Sequence, residues 1–139
     1  MYTNLGLAAF VKECLALPTK YLWDGFGSKN EQGQYCFDCS GLIKCYYMGG
    51  LKQFYDDEKR DLQSYEMIEK AERKGPVSEI PEIEGLGVYL PGHIGVYVTN
   101  GTVIECTSNP RFGDGVVETN LNDRKWEQWL EIPYILYLK

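Results

Sequence analysis

The spacing of apolar residues changes at Gly85, and this change constrains the fold more than any other feature of the sequence. Before Gly85, two segments carry apolar residues at helical spacing. After it, apolar and β-branched residues alternate with polar ones as in strands, and Asn100-Gly101 joins two such runs as a hairpin signal. Helices followed by antiparallel strands predict an α+β domain in which N-terminal helices pack on an antiparallel β-sheet.

The first predicted helix covers roughly residues 5–17. Thr3 or Asn4 can cap its start, and Pro18 ends it because proline cannot continue a helix. The second predicted helix has Cys39 at or near its N-terminus and ends at Gly49-Gly50. Its apolar stripe consists of Leu42, Ile43, Tyr46 and Tyr47.

Four further segments have weaker patterns. Residues 21–35 are rich in glycine and polar side chains, so we expect a loop there. Residues 56–75 are highly charged and predict a solvated amphipathic helix. Its expected inward side chains are Leu62, Tyr65, Met67 and Ile68. Strands are predicted at residues 116–119 and at the apolar end of the chain, residues 132–138.

The composition predicts a single globular domain over residues 1–139, long enough to bury a core. A formal net charge of −6 argues against nucleic acid as a partner, since such proteins usually carry a basic stripe. No apolar run reaches the roughly 18 residues that a membrane-spanning helix needs. The N-terminus has no basic start, so it does not resemble a secretory signal peptide. We therefore expect no membrane span.

The five cysteines are an odd number, which fits no complete set of disulfides. Cys36 and Cys39 form a C-x-x-C pair, a spacing used in redox motifs and in half of a zinc site. The remaining candidate ligands, Cys106 and the lone His93, are not spaced as a second ligand pair, and no strand is expected before the motif. We therefore expect neither a metal nor a cofactor.

Cys39 has the position that a nucleophilic cysteine needs, at the predicted N-terminus of a helix. A helix N-terminus favours the thiolate over the thiol, and Ser40 and Gly41 are small enough to let a substrate approach. A cysteine nucleophile also needs a base, for which the sequence offers His93, and a third group to orient it. Glu105 lies on the neighbouring predicted strand, where the pairing register decides whether it meets His93. Taken singly, such a cysteine is more often a core residue, and such a histidine is more often simply a partly exposed side chain.

Three ordered blocks resemble the NlpC family of papain-like cysteine peptidases that cut bacterial peptidoglycan. The nucleophile motif of that family is similar to FDCSGLI at residues 37–43. The Tyr-x-Trp-Gly-Gly segment is similar to YLWDGFG at 21–27, where Asp24 replaces the first glycine. The block around the catalytic histidine is similar to PGHIGVYVTNGTVIECT at 91–107, although Pro91-Gly92 directly precede His93 here. The likeness spans about residues 19–107.

The resemblance implies a role for each matching residue. The catalytic residues would be Cys39 as nucleophile, His93 as general base and Glu105 as the third member. The substrate-binding residues would be Tyr21, Trp23, Asp38 and Ser40. The implied substrate is the stem peptide of peptidoglycan at the bacterial cell wall, cut after D-glutamate at the bond to the diamino acid.

Other functions remain open at this point. Some relatives cut between muramic acid and L-alanine as amidases, as in phage lysins, and the same fold can serve as a non-catalytic wall-binding domain. A thiol enzyme with another substrate, such as a lipid acyltransferase, is a further alternative because papain-like folds are reused.

Overall fold

The computed structural model of the chain describes residues 1–51 and 58–139. Within these ranges the helices are α1 (Asn4–Leu15), α2 (Cys39–Tyr47) and α3 (Ser64–Lys70). A small sheet contains β1 (Thr19–Tyr21), β2 (Phe26–Lys29) and β3 (Tyr35–Phe37). The larger sheet contains β4 (Lys74–Pro76), β5 (Leu86–Leu90), β6 (His93–Tyr97), β7 (Thr102–Asn109), β8 (Gly113–Asn120) and β9 (Gln128–Leu130).

The larger sheet has the strand order β4-β9-β5-β6-β7-β8, and every neighbouring pair is antiparallel. Apolar side chains on one face share a buried core with α1 and α2. The members of this core on the sheet include Ile94, Val96, Ile104 and Cys106. The opposite face carries a second, smaller apolar cluster of Leu86, Val88, Tyr97, Val103 and Trp126. The predicted α+β class, with helices packed on an antiparallel sheet, is confirmed.

Local chemistry explains where α1 begins and where the hairpin between β6 and β7 turns. Thr3 caps α1, since its Oγ1 accepts a hydrogen bond of 3.0 Å from the N–H of Gly6. The hairpin between β6 and β7 turns at Asn100 and Gly101, whose φ angles are 54° and 72°. Positive φ at both central residues is the type I′ geometry that matches the twist of paired strands. The predicted cap and hairpin are therefore confirmed.

The expected loop at residues 21–35 is wrong in part, because strands of the small sheet include Tyr21, Phe26–Lys29 and Tyr35. β3 pairs in parallel with β1 and antiparallel with β2. These strands are three or four residues long, and the β2–β3 pairing shifts register between Phe26 and Ser28. Strands this short and irregular leave no alternating pattern for a sequence to display.

The charged stretch forms a shorter helix than predicted. A single 3₁₀ turn covers Glu58–Arg60, and α3 starts only at Ser64 and ends at Lys70. Leu62, Met67 and Ile68 are buried as expected. Tyr65 is 55% exposed, so its predicted inward position is wrong. The first residues of this prediction, 56 and 57, lie outside the described residues.

The predicted strand at residues 132–138 is also wrong. Leu136 alone forms a bridge, with Thr3, and the segment runs past the start of α1. There the buried side chain of Asn4 accepts a hydrogen bond of 2.6 Å from the N–H of Leu138 and donates one of 3.0 Å to its carbonyl. The strand in this part of the chain is instead β9 at Gln128–Leu130. None of the helices in the described ranges has the length and hydropathy to cross a bilayer.

Candidate active site

Cys39 is the first residue of α2, as predicted. Asp38 caps the helix, because its Oδ1 accepts hydrogen bonds of 2.6 Å from the N–H of Gly41 and 3.3 Å from the hydroxyl of Ser40. Its Oδ2 accepts a further one of 2.9 Å from the N–H of Asp24. Asp38 therefore fixes both the helix start and the preceding turn, while burial, its largest influence, raises its pKa.

A tight backbone contact holds that turn, residues 22–25, against the start of α2. A Cβ on Gly41 would overlap the carbonyl oxygen of Gly25 and would lie 2.7 Å from Oδ1 of Asp38. The same carbonyl of Gly25 accepts a hydrogen bond of 2.9 Å from the N–H of Asp38. The glycine after Cys39-Ser40 is therefore required by the approach of another segment. Asp24 in this turn has φ of 65°, in the left-handed region that glycine adopts most easily.

Cys39 differs from the other cysteines in its exposure. Cys39 is half-buried, whereas the other four are buried, and all five are free. Burial raises the pKa of Cys14 and of Cys45 to about 12, and it also raises the pKa of Cys106. Cys106 donates to the carbonyl of Phe37 at 3.2 Å. Among the described residues, no cluster of cysteine, histidine and carboxylate side chains is arranged to hold a metal ion.

The strand register brings His93 and Glu105 together. Tyr97 pairs with Val103, so Glu105 lies diagonally across from His93 on the same face of the sheet. Gly95 stands between them, and its missing side chain leaves room, since a Cβ there would lie 3.3 Å from the Cβ of Glu105. Nε2 of His93 is 2.7 Å from Oε1 of Glu105. Cys39 lies near the imidazole on the side of the helix start and is one of the groups that raise its pKa.

Side chains that the sequence did not single out surround Glu105. Thr119 on β8 donates a hydrogen bond of 2.6 Å to Oε2, and Nε of Arg124 is 2.6 Å from Oε1. Trp126 stacks on the imidazole of His93, with ring centroids 5.4 Å apart and planes 16° from parallel. These three residues lie on β8 and in the segment before β9, and no motif or spacing links them to His93.

His93 and Glu105 shift each other's pKa. Burial is the largest influence on His93 and lowers its pKa, but hydrogen bonds to Cys39 and Glu105 and their negative charges outweigh it, so the pKa is raised above 6.5. Burial likewise raises the pKa of Glu105, but His93, Thr119 and Arg124 together lower it below 4.5. The arrangement therefore favours an imidazolium beside a carboxylate.

The predicted substrate-binding residues fall into two groups. Tyr21 is half-buried near the thiol, and its pKa rises to about 12, first through burial and then through the negative charges of Cys39 and Asp38. Trp23 is 76% exposed on the turn that packs against α2. Asp38 and Ser40 are buried and bonded within the chain, so their described contacts are structural and their role toward a substrate stays a prediction.

In fold, the chain is similar to NlpC/p60 domains. It matches the NlpC/p60 domain of the peptidoglycan hydrolase SagA with a TM-score of 0.58 and 17% identity, over 94% of this chain and 99% of that one. The peptidoglycan hydrolase RipB from Mycobacterium tuberculosis matches with a TM-score of 0.56 and 20% identity, over 94% and 67% of the two chains.

RipD from the same organism, described as a non-catalytic NlpC/p60 domain protein adapted to peptidoglycan binding, matches with a TM-score of 0.58 and 18% identity. The likeness covers 92% of this chain and 95% of RipD. No protein-family model and no curated protein sequence matches the chain. The chain thus has the NlpC/p60 fold, which is the fold that the resemblance of its sequence blocks implies.

Proposed function

We propose that the protein is a cysteine peptidase that hydrolyses an amide bond in the stem peptides of peptidoglycan, at the bond from D-glutamate to the diamino acid. The observation that carries this proposal is the His93–Glu105 pair at 2.7 Å, set beside the half-buried Cys39 at the start of a helix. A nucleophile, a base and an orienting carboxylate in contact are the arrangement that acyl transfer requires. The NlpC/p60 fold, shared with peptidoglycan hydrolases, supports the choice of substrate.

In the proposed reaction, His93 takes the proton of the Cys39 thiol and the sulfur attacks the scissile carbonyl carbon. The resulting oxyanion lies at the N-terminus of α2, where the first N–H groups have no acceptor within the helix. His93 then gives its proton to the leaving amine as the C–N bond breaks and a thioester forms. Water, deprotonated by His93, attacks the thioester and releases the acid and the thiol. Glu105 holds the imidazole in position throughout.

The substrate would enter over the turn at residues 22–25. The exposed indole of Trp23 offers an apolar surface at the rim, and the hydroxyl of Tyr21 lies near the thiol and can donate to the oxyanion. The raised pKa of Tyr21 supports this role, because it keeps the phenol protonated across the physiological range.

Digestion of purified peptidoglycan, followed by mass spectrometry of the released fragments, tests the proposal. We expect the wild type to release fragments and Cys39→Ala to release none. Fragments with a diamino acid at the new amino terminus support the proposed endopeptidase, and fragments with an alanine terminus would identify an amidase instead. Cys36→Ala is the matched control, because Cys36 is a buried thiol on β3 that donates to a neighbouring carbonyl.

A sedimentation assay with the same walls separates the enzyme from a binding module. If neither the wild type nor Cys39→Ala cuts walls of several chemotypes while both sediment with them, the protein is a wall-binding domain and the proposal fails. If neither cuts nor sediments, the substrate lies elsewhere.

A further inference from the structure

One oxygen of Glu105 faces two cationic side chains. Oε1 lies 2.7 Å from Nε2 of His93 and 2.6 Å from Nε of Arg124, while Oε2 receives the hydroxyl of Thr119. The carboxylate is fully buried, so no solvent screens these contacts. His93 and Arg124 therefore share the negative charge of the same atom.

Arg124 is held in place independently of Glu105. One terminal nitrogen donates a hydrogen bond of 3.0 Å to Oγ1 of Thr107, and the guanidinium lies over the ring of Phe112 at 4.6 Å. The N–H at Nε is close to Oε1 but is not aligned with it as a hydrogen bond, so the contact is an ion pair. Arg124 thus presents a fixed positive charge to the same oxygen of Glu105 that His93 contacts.

We propose that Arg124 is a positioning residue that acts on His93 through Glu105, by taking up part of the carboxylate's charge so that the imidazolium can release its proton. The inference rests on the proposed function, in which His93 must first accept the thiol proton and then pass it to the leaving amine. A buried carboxylate that faced the imidazole alone would stabilise the imidazolium strongly and slow that second transfer.

The charges that face His93 come from three elements. Cys39 approaches from α2 and Glu105 from β7, while Arg124, in the segment after β8, contacts the carboxylate of Glu105. Tyr21 and Asp38 lie around the thiol, and Trp126 covers the imidazole with an uncharged ring. Arg124 is therefore the one cation in this described set, and its contact is with the carboxylate of Glu105.

The alternative is a purely structural arginine that offsets the burial of Glu105. Removing such a residue would destabilise the fold but would leave the pKa of His93 in the folded protein unchanged. His93 is the only histidine in the sequence, so an NMR titration follows a single imidazole, and its signals need no assignment to a residue. The variants to compare with the wild type are Arg124→Met, Arg124→Lys and the control Arg111→Met.

In Arg124→Met we expect the pKa of His93 to rise by about one unit, the size of shift that losing a nearby buried charge produces. Arg124→Lys keeps the charge and should give less than half of that rise. Arg111→Met should leave the pKa unchanged, because Arg111 also lies over the ring of Phe112, at 4.8 Å, but pairs with Asp123. An unchanged or lower His93 pKa in folded Arg124→Met would overturn the proposal.

If Arg124→Met does not fold, Arg124→Gln takes its place, since the amide removes the charge and keeps a donor for Thr107. The titration needs no substrate, so it can fail or succeed separately from the wall digestion. Where the wild type does cut walls, the alkaline limit of its activity should move upward in the same variant that raises the His93 pKa. A limit that stays in place while the pKa rises would also contradict the proposal.

Discussion

The two halves of the site are held in different ways. The helix half, residues 22–25 and 38–41, is fixed by a helix cap and by hydrogen bonds of backbone N–H and carbonyl groups. The sheet half, His93, Glu105, Thr119, Arg124 and Trp126, is fixed by side-chain contacts across strands and the segment before β9. The helix half should therefore be sensitive to added atoms, and the sheet half to changes of charge.

The largest effect is expected from Gly41→Ala in the helix half. The new methyl group would overlap the backbone carbonyl of Gly25, which cannot move without breaking its hydrogen bond to Asp38. We expect a loss of roughly 3 kcal/mol in the free energy of unfolding, at the upper end for overpacking, and no wall digestion. Chemical denaturation measures the first and fragment release the second.

Gly33→Ala is the matched control for this change. Gly33 has φ of 79°, and a Cβ there would meet no atom within 4 Å. Only backbone strain should count, at about 1 kcal/mol, with activity retained. If the two variants lose equal free energy of unfolding, the turn at residues 22–25 can move to accommodate the added methyl group. The contrast between the two halves would then disappear.

Glu105→Gln tests the sheet half without changing its shape. The neutral amide loses the ion pairs with His93 and Arg124 and should lower kcat/KM roughly 10²-fold or more, because the imidazolium is no longer stabilised or aligned. Glu118→Gln on β8 is the control, since Glu118 is exposed and pairs with Ile104 through the backbone alone. Comparable losses in both variants would mean that overall charge, and not the pair, sets the rate.

The pairing of His93 with Glu105 should also make the stability of the fold depend on pH. Glu105 has a lowered pKa in the fold, so the stability it contributes is present above 4.5 and is lost as pH falls through its folded pKa. His93 has a raised pKa, so its contribution is present below 6.5 and is lost as pH rises through its folded value. Thermal unfolding measured from well below pH 4.5 to well above pH 6.5 should show both flanks in the wild type and weaker ones in Glu105→Gln. Identical profiles would contradict the pairing.

The difference between the halves also explains what the sequence revealed. The start of α2 at Cys39 could be predicted from the helical apolar stripe that follows it. From the sequence we expect Asp38 to bind substrate and Gly41 to leave room for it, whereas their contacts with residues 24 and 25 depend on a turn that no local pattern marks. The alternation of side chains along each strand predicted which neighbours share a face with His93 and which share a face with Glu105. Whether the two side chains meet depends on the pairing of Tyr97 with Val103. Thr119 and Arg124 reach Glu105 from other elements, and no period or spacing in a single sequence marks such contacts.

The smallest effect is expected from Asp24→Gly, which tests whether backbone geometry alone holds the helix half. Asp24 has φ of 65°, and its N–H donates to Asp38, a bond that glycine keeps. Relief of strain and the greater freedom of glycine in the unfolded chain oppose each other, so we expect a net change of at most about 0.5 kcal/mol, with activity retained. Asp24→Ala removes the carboxylate but keeps the Cβ strain that the wild type already carries, so it should also change the free energy of unfolding by at most about 0.5 kcal/mol. If denaturation shows losses above this limit for both glycine and alanine, the carboxylate of Asp24 is what matters, and side-chain contacts hold the helix half just as they hold the sheet half.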